Sequence, residues 1–214
     1  MITTTMDAPQ AGRSLPRITS AALIVVTLVA SAFLIFVAFP YFGLDQARFG
    51  PYWPRRGWLL LHLAGGTAAL LAGPVQLWLG LSDRRMDIHR RLGMAYVSTV
   101  GVSAMAAFYL AFNTDIGWVF GAGLGGLAVA WIVTTGLAFI SARRSLFDQH
   151  KEWMIRSYVV TFAFVTFRVL MAGLTIAGVG TIQEQLTAAS WFCWAVPLLA
   201  TEAVLQGKKI LASG

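Results

Sequence analysis

A chain of 214 residues could form one soluble domain, but 57% of this one is hydrophobic, only 12% is charged and its mean hydropathy is +0.70. Soluble domains carry about 25% charged residues, so too little polar surface remains to solvate a globule. Apolar runs of roughly 20 residues recur along the chain, each able to cross a hydrocarbon core of about 30 Å. The net charge of +7 then reads as basic residues facing anionic inner-leaflet headgroups, and no nucleic-acid partner is expected. The one cysteine, Cys193, falls inside an apolar run, which excludes a disulfide framework and any Cys-rich metal motif.

In chain order, residues 1–17 are polar and aperiodic and read as a disordered tail. Six spans are expected, Ile18–Phe39, Gly57–Leu79, Leu92–Phe112, Gly117–Ile140, Trp153–Gly178 and Thr187–Gln206, giving an all-α six-helix bundle over residues 18–210. The first apolar run is longer than a signal-peptide core and no small-x-small site follows it, so a retained helix is expected. Pro40, Pro51 and Pro54 punctuate the first loop, and the later links are short.

Basic residues set the expected orientation, because Lys and Arg are retained in the cytoplasm. Arg13, Arg17, Arg84, Arg85, Arg90, Arg91, Arg143, Arg144, Lys151, Arg156, Lys208 and Lys209 fall on one side. Arg48, Arg55 and Arg56 fall on the other, and Arg168 lies within a span. This bias predicts a multi-pass protein of a bacterial cytoplasmic (inner) membrane with both termini cytoplasmic.

The chain repeats itself. Residues 84–92 read RRMDIHRRL and residues 143–153 read RRSLFDQHKEW, so spans two with three and four with five form a tandem hairpin repeat. His89 and His150 occupy equivalent places at the cytoplasmic entrances of spans three and five, and Tyr96 and Tyr158 follow at similar offsets. Asp87 and Asp148 are placed to cap the helix starts or to hold an imidazole. With Arg90 and the other flanking arginines, the rim suits a lipid phosphate, a quinone oxygen or haem propionates. It also serves as a plain interfacial anchor. Two neutral histidines facing each other would ligate a haem iron, so His89 and His150 are the candidate metal ligands and haem b the candidate cofactor.

A second polar layer lies near the opposite face. At 1.5 Å per residue, His62 is roughly 7 Å inside span two and Arg168 roughly 24 Å along span five from the other side, which puts both at one depth. An intramembrane Arg costs at least about 2.5–3.5 kcal/mol unless it faces the bundle interior or snorkels. Glu202 is expected to pair with the arginines of the second or fourth loop or with Lys208. Gln76 follows Gly73-Pro74, where a proline frees a backbone carbonyl.

The series His62, Gly73-Pro74-Val75-Gln76, His89-Arg90-Arg91-Leu92-Gly93 with Tyr96, and His150-Lys151-Glu152-Trp153-Met154-Ile155-Arg156-Ser157-Tyr158 with Arg168 resembles domain-of-unknown-function family 2306 of predicted bacterial membrane proteins, over about residues 57–175. The resemblance implies that these polar residues belong together and assigns no reaction. Three functions compete: a membrane redox protein binding haem b or a quinone, with His89 and His150 as candidate ligands, His62 and Arg168 forming an outer site and Arg90, Tyr96 and Tyr158 as further candidate cofactor contacts; an accessory subunit docked on a larger membrane protein; and a small transporter or sensor using His62 and Arg168. Three histidines allow at most one bis-His haem.

Overall fold

The computed structural model describes residues 15–212, so most of the expected N-terminal tail lies outside the described residues. Every regular element among them is helical. α1 spans Arg17–Phe33, α2 Gln46–Phe49, α3 Arg56–Ser82, α4 Met86–Phe112, α5 Trp118–Arg143, α6 Phe147–Thr161, α7 Ala163–Ile176 and α8 Ile182–Ala212. Among the described residues five stretches are individually long and apolar enough to cross a membrane, and α6 with α7, bent by 42°, add a sixth if the pair is one span. The chain is a polytopic helical bundle.

The departures from the expected spans have local causes. α1 does not run evenly to Phe39: it widens to a π turn at Leu34–Ala38 and tightens to a 3-10 turn at Phe39–Gly43, where Pro40 has no N–H to continue the ladder. The loop that follows is closed by rings, with Phe49 buried edge-on against Tyr41 and Trp53. α4 and α6 begin at Met86 and Phe147, each six residues before the expected starts at Leu92 and Trp153. Their first turns are charged, so a search for apolar runs passes over them.

The two basic turns close alike. Asp83 and Ser145 take the left-handed conformation at φ 51° and 57°, and the next amide donates five residues back, Arg84 to the Leu79 carbonyl and Leu146 to the Ser141 carbonyl. Both are Schellman closures built without glycine. The tandem hairpins therefore share the closure of their first helix as well as sequence, and they differ just after it, where Arg85 is left-handed at φ 48° and Leu146 is not.

α3 to α6 form the central four-helix ring, each packing on its neighbours and α3 closing against α6. α8 lies against α5, α6 and α7, while α1 sits at the edge on α3. A quartet of ions centred on the buried Arg156 ties α8 to α6: Arg156, 6% exposed, meets Glu202 at 2.6 Å and Glu152 at 3.4 Å, and the exposed Lys209 reaches Glu152 at 2.8 Å. Glu202 thus pairs with Arg156 and not with Lys208. At the face opposite the basic turns, Arg55 and Asp115 pair at 2.8 Å, and the guanidinium's hydrogen bond holds that carboxyl below its ordinary range.

Candidate functional site

Polar residues of the bundle fall into three layers, and the order of residues along each helix fixes them. From the basic turns inward, α6 and α7 present His150 and Met154, then Ser157 and Thr161, then Phe164 and Arg168. α4 matches this with His89, then Tyr96, then Ser103.

The first layer holds the two equivalent histidines. His89 and His150 are each the fourth residue of their helix, so both lie in its first turn, inside the helix and not ahead of it. Their ring centres are 6.1 Å apart and their planes cross at 87°. His150 Nδ1 lies 2.9 Å from the Ala138 carbonyl of α5. A carbonyl only accepts, so Nδ1 carries the proton and Nε2 keeps a free lone pair. His89 is set from α3: Gln76 Nε2 donates to the His89 carbonyl at 2.9 Å, and Gly80 clears the ring, where a Cβ would sit 3.1 Å from Cε1. His89 Nδ1 and Gln76 Oε1 are buried without partners. The histidines border a cavity of about 270 Å³, walled chiefly by Leu77, Met86, Phe147, Met154 and Ile155, with Asp83 and Lys151 at its rim.

The expected roles of the aspartates do not hold. Neither α4 nor α6 has a side-chain cap, and Asp87 and Asp148 stand exposed in their first turns, Asp148 4.0 Å from Lys151. The His150 imidazole takes its partner from Ala138 of α5 instead, while Gln76 of α3 holds the His89 backbone carbonyl and leaves His89 Nδ1 without a hydrogen bond among the described residues. Arg90 is exposed and outside the cavity wall.

The middle layer is a hydroxyl network with a direction. Thr161 Oγ1 donates to the Ser157 carbonyl at 2.8 Å and accepts from Trp131 Nε1 at 2.8 Å. Its proton being spent, the 2.8 Å contact with Tyr96 has the phenol as donor. The 2.9 Å contact of Tyr96 with Ser157 then has Ser157 as donor, and Thr135 donates to Ser157 at 2.7 Å. The chain of bonds runs Thr135, Ser157, Tyr96, Thr161, and stops on a backbone carbonyl. Tyr96, 1% exposed, and Tyr158, 6% exposed, border neither cavity. Tyr158 packs its ring on Gly73 and donates to the Leu70 carbonyl at 3.2 Å. That carbonyl is the one Pro74 leaves without a helical N–H.

The third layer joins His62 and Arg168, which border one cavity of about 220 Å³ at the far end. His62 Nδ1 lies 3.1 Å from the Ser103 carbonyl, and the Ser103 hydroxyl returns a 2.7 Å bond to the His62 carbonyl. The imidazole stands edge-on to Phe164 at 4.9 Å and Trp131 at 6.5 Å. Tyr41 and Tyr52 of the first loop also border this cavity. Sequence reasoning missed them, although two tyrosines in a loop beside a span carrying His and across from Arg were visible signals. Gly80, Ala138 and Ser103 were also missed, and two of these act through backbone or absence of side chain.

Comparisons with curated proteins and with solved structures give no match. A family model described as a predicted membrane protein, DUF2306, matches residues 59–205, so the resemblance extends past residue 175 into α8. With more than half of its length matched, and with the helices that the match implies, the chain belongs to the DUF2306 family of predicted membrane proteins.

Proposed function

We propose that the chain is a membrane electron-transfer protein that holds one b-type haem between His89 and His150. The observation that carries this reading is the 6.1 Å separation of the two ring centres. A metal–imidazole bond is about 2.0 Å and a ring nitrogen lies roughly an ångström from its ring centre, so two imidazoles sharing one ion have centres about 6 Å apart. The donor set then selects the ion. Zinc takes three or four protein ligands, and among the described residues no third His, Cys, Asp or Glu joins the pair. Haem iron asks the protein only for axial ligands.

When bound, the haem supplies one-electron chemistry. The chain's own residues supply the rest. The Ala138 carbonyl fixes the His150 tautomer that leaves Nε2 free to ligate. Gln76 and Gly80 hold and clear His89. A buried, unpartnered ring nitrogen such as His89 Nδ1 costs about 1–3 kcal/mol, which a group bound at the site would offset. The chiefly apolar wall offers water few partners at the site. The bias of basic residues supports placing this end at the cytoplasmic face of a bacterial inner membrane.

The test is an absorption spectrum of the detergent-purified protein, expressed with ample haem, before and after dithionite. A Soret band that sharpens on reduction, lost in His89→Ala and His150→Ala and kept in His62→Ala, is the expected result. A colourless wild-type protein would end the proposal.

A further inference from the structure

We infer that the cavity between His62 and Arg168 is a binding site for the head group of a quinone, a flat ring with oxygens at its edge and an aliphatic tail. The inference stands on the far end of the bundle and does not depend on haem at the other.

Four observations point to that ligand class. Arg168 lies about 12 Å from the end of α7, counting eight residues at 1.5 Å each. No carboxylate among the described residues lies within ion-pair distance of it, so a cation inside a span waits for an oxygen from elsewhere. His62, with Nδ1 spent on the Ser103 carbonyl, keeps Nε2 as a second polar contact with no partner among the described residues. The walls are rings set edge to face, Trp131 with Phe164 at 5.6 Å and both with His62, which is the lining a planar π system packs against. Finally, one wall is Phe33 and Val37 of the α1 region, the helix at the edge of the bundle, beside which a tail reaches lipid.

A quinone carbonyl accepts from the Arg168 guanidinium, and the reduced hydroxyl form donates to His62 Nε2. Both oxidation states therefore find a partner. A phospholipid head group matches the guanidinium but not the aromatic lining, since its phosphate would exchange water for ring faces.

The experiment is a titration of decylubiquinone into the protein held in nanodiscs, read by quenching of tryptophan fluorescence, with empty discs and Trp131→Phe as references for partitioning and for the origin of the signal. Saturable quenching is expected, at least tenfold weaker in Arg168→Ala and abolished in Ala107→Trp, which fills the cavity from α4. Thermal unfolding of each variant is measured alongside. Decylbenzene, which lacks the oxygens, is not expected to compete. Non-saturable quenching overturns the inference, as does equal affinity in a folded Arg168→Ala. Stoichiometric displacement by phosphatidylglycerol overturns it too, by assigning the cavity to an anionic lipid.

Discussion

Tyr158 and Pro74 show how one residue's defect becomes another's task. A proline in a helix withholds an N–H from the carbonyl four residues back, here Leu70, and in a span no water replaces it. Tyr158 supplies the missing donor from α6 at 3.2 Å, and Gly73, beside the proline, leaves room for its ring. Tyr158→Phe should therefore cost about 0.5–2 kcal/mol in detergent unfolding. In a Pro74→Ala background the restored helical N–H occupies Leu70, and the same change should cost close to nothing. Equal costs in both backgrounds would mean that the hydroxyl has another role. The freed carbonyl was legible from Pro74 alone, but its partner was not, because nothing in sequence says which face of α6 meets residue 70. Tyr158 accordingly drew attention as a cofactor contact through its offset from His150, whereas in the structure its hydroxyl and ring meet the backbone of α3.

Elements were legible where composition is extreme and obscure where it changes. The membrane-spanning helices follow from apolar length, and the hairpin repeat from two copies of Arg-Arg and Asp-x-His. The first turns of α4 and α6 were not seen as helix, because their side chains face the aqueous boundary. That error moved His89 and His150 out of the helices they begin. The repeat extends to turn chemistry: Asp83 and Ser145 both adopt positive φ, which disfavours a side chain. The Ser145 hydroxyl makes no hydrogen bond among the described residues, while its amide donates to the Ala142 carbonyl. Ser145→Gly should thus stabilise the second hairpin by up to about 1 kcal/mol, the relief of strain exceeding the added unfolded-state entropy. The measurement is the unfolding midpoint of the purified variant, and a lowered midpoint would show that the turn is not strained.

At the scale of the whole molecule, the two histidine-lined cavities lie at opposite ends of a four-helix ring with a hydroxyl layer between them. Trp131 floors the far cavity and donates to Thr161, while Met154 and His150 border the near one. Between them each hydroxyl proton is committed in turn, from Thr135 to Ser157, Tyr96 and Thr161, and the last is spent on the Ser157 carbonyl. A proton relay needs an acceptor that can pass the proton on, and a backbone carbonyl hydrogen-bonded within a helix cannot. An electron needs no such path, since it crosses packed protein without moving atoms. The proposed electron-transfer reading therefore asks nothing of this layer beyond its packing, and the hydroxyl chain offers no proton conduit between the two cavities. Proteoliposomes carrying the wild-type chain and a trapped pH-sensitive dye should show no proton leak above protein-free vesicles under an imposed gradient. Tyr96→Phe, which removes one link and costs about 1–3 kcal/mol of stability, should leave the membrane equally tight. A leak in the wild type that Tyr96→Phe abolished would make the hydroxyl chain a conduit and return His62 and Arg168 to the reading of a transport site.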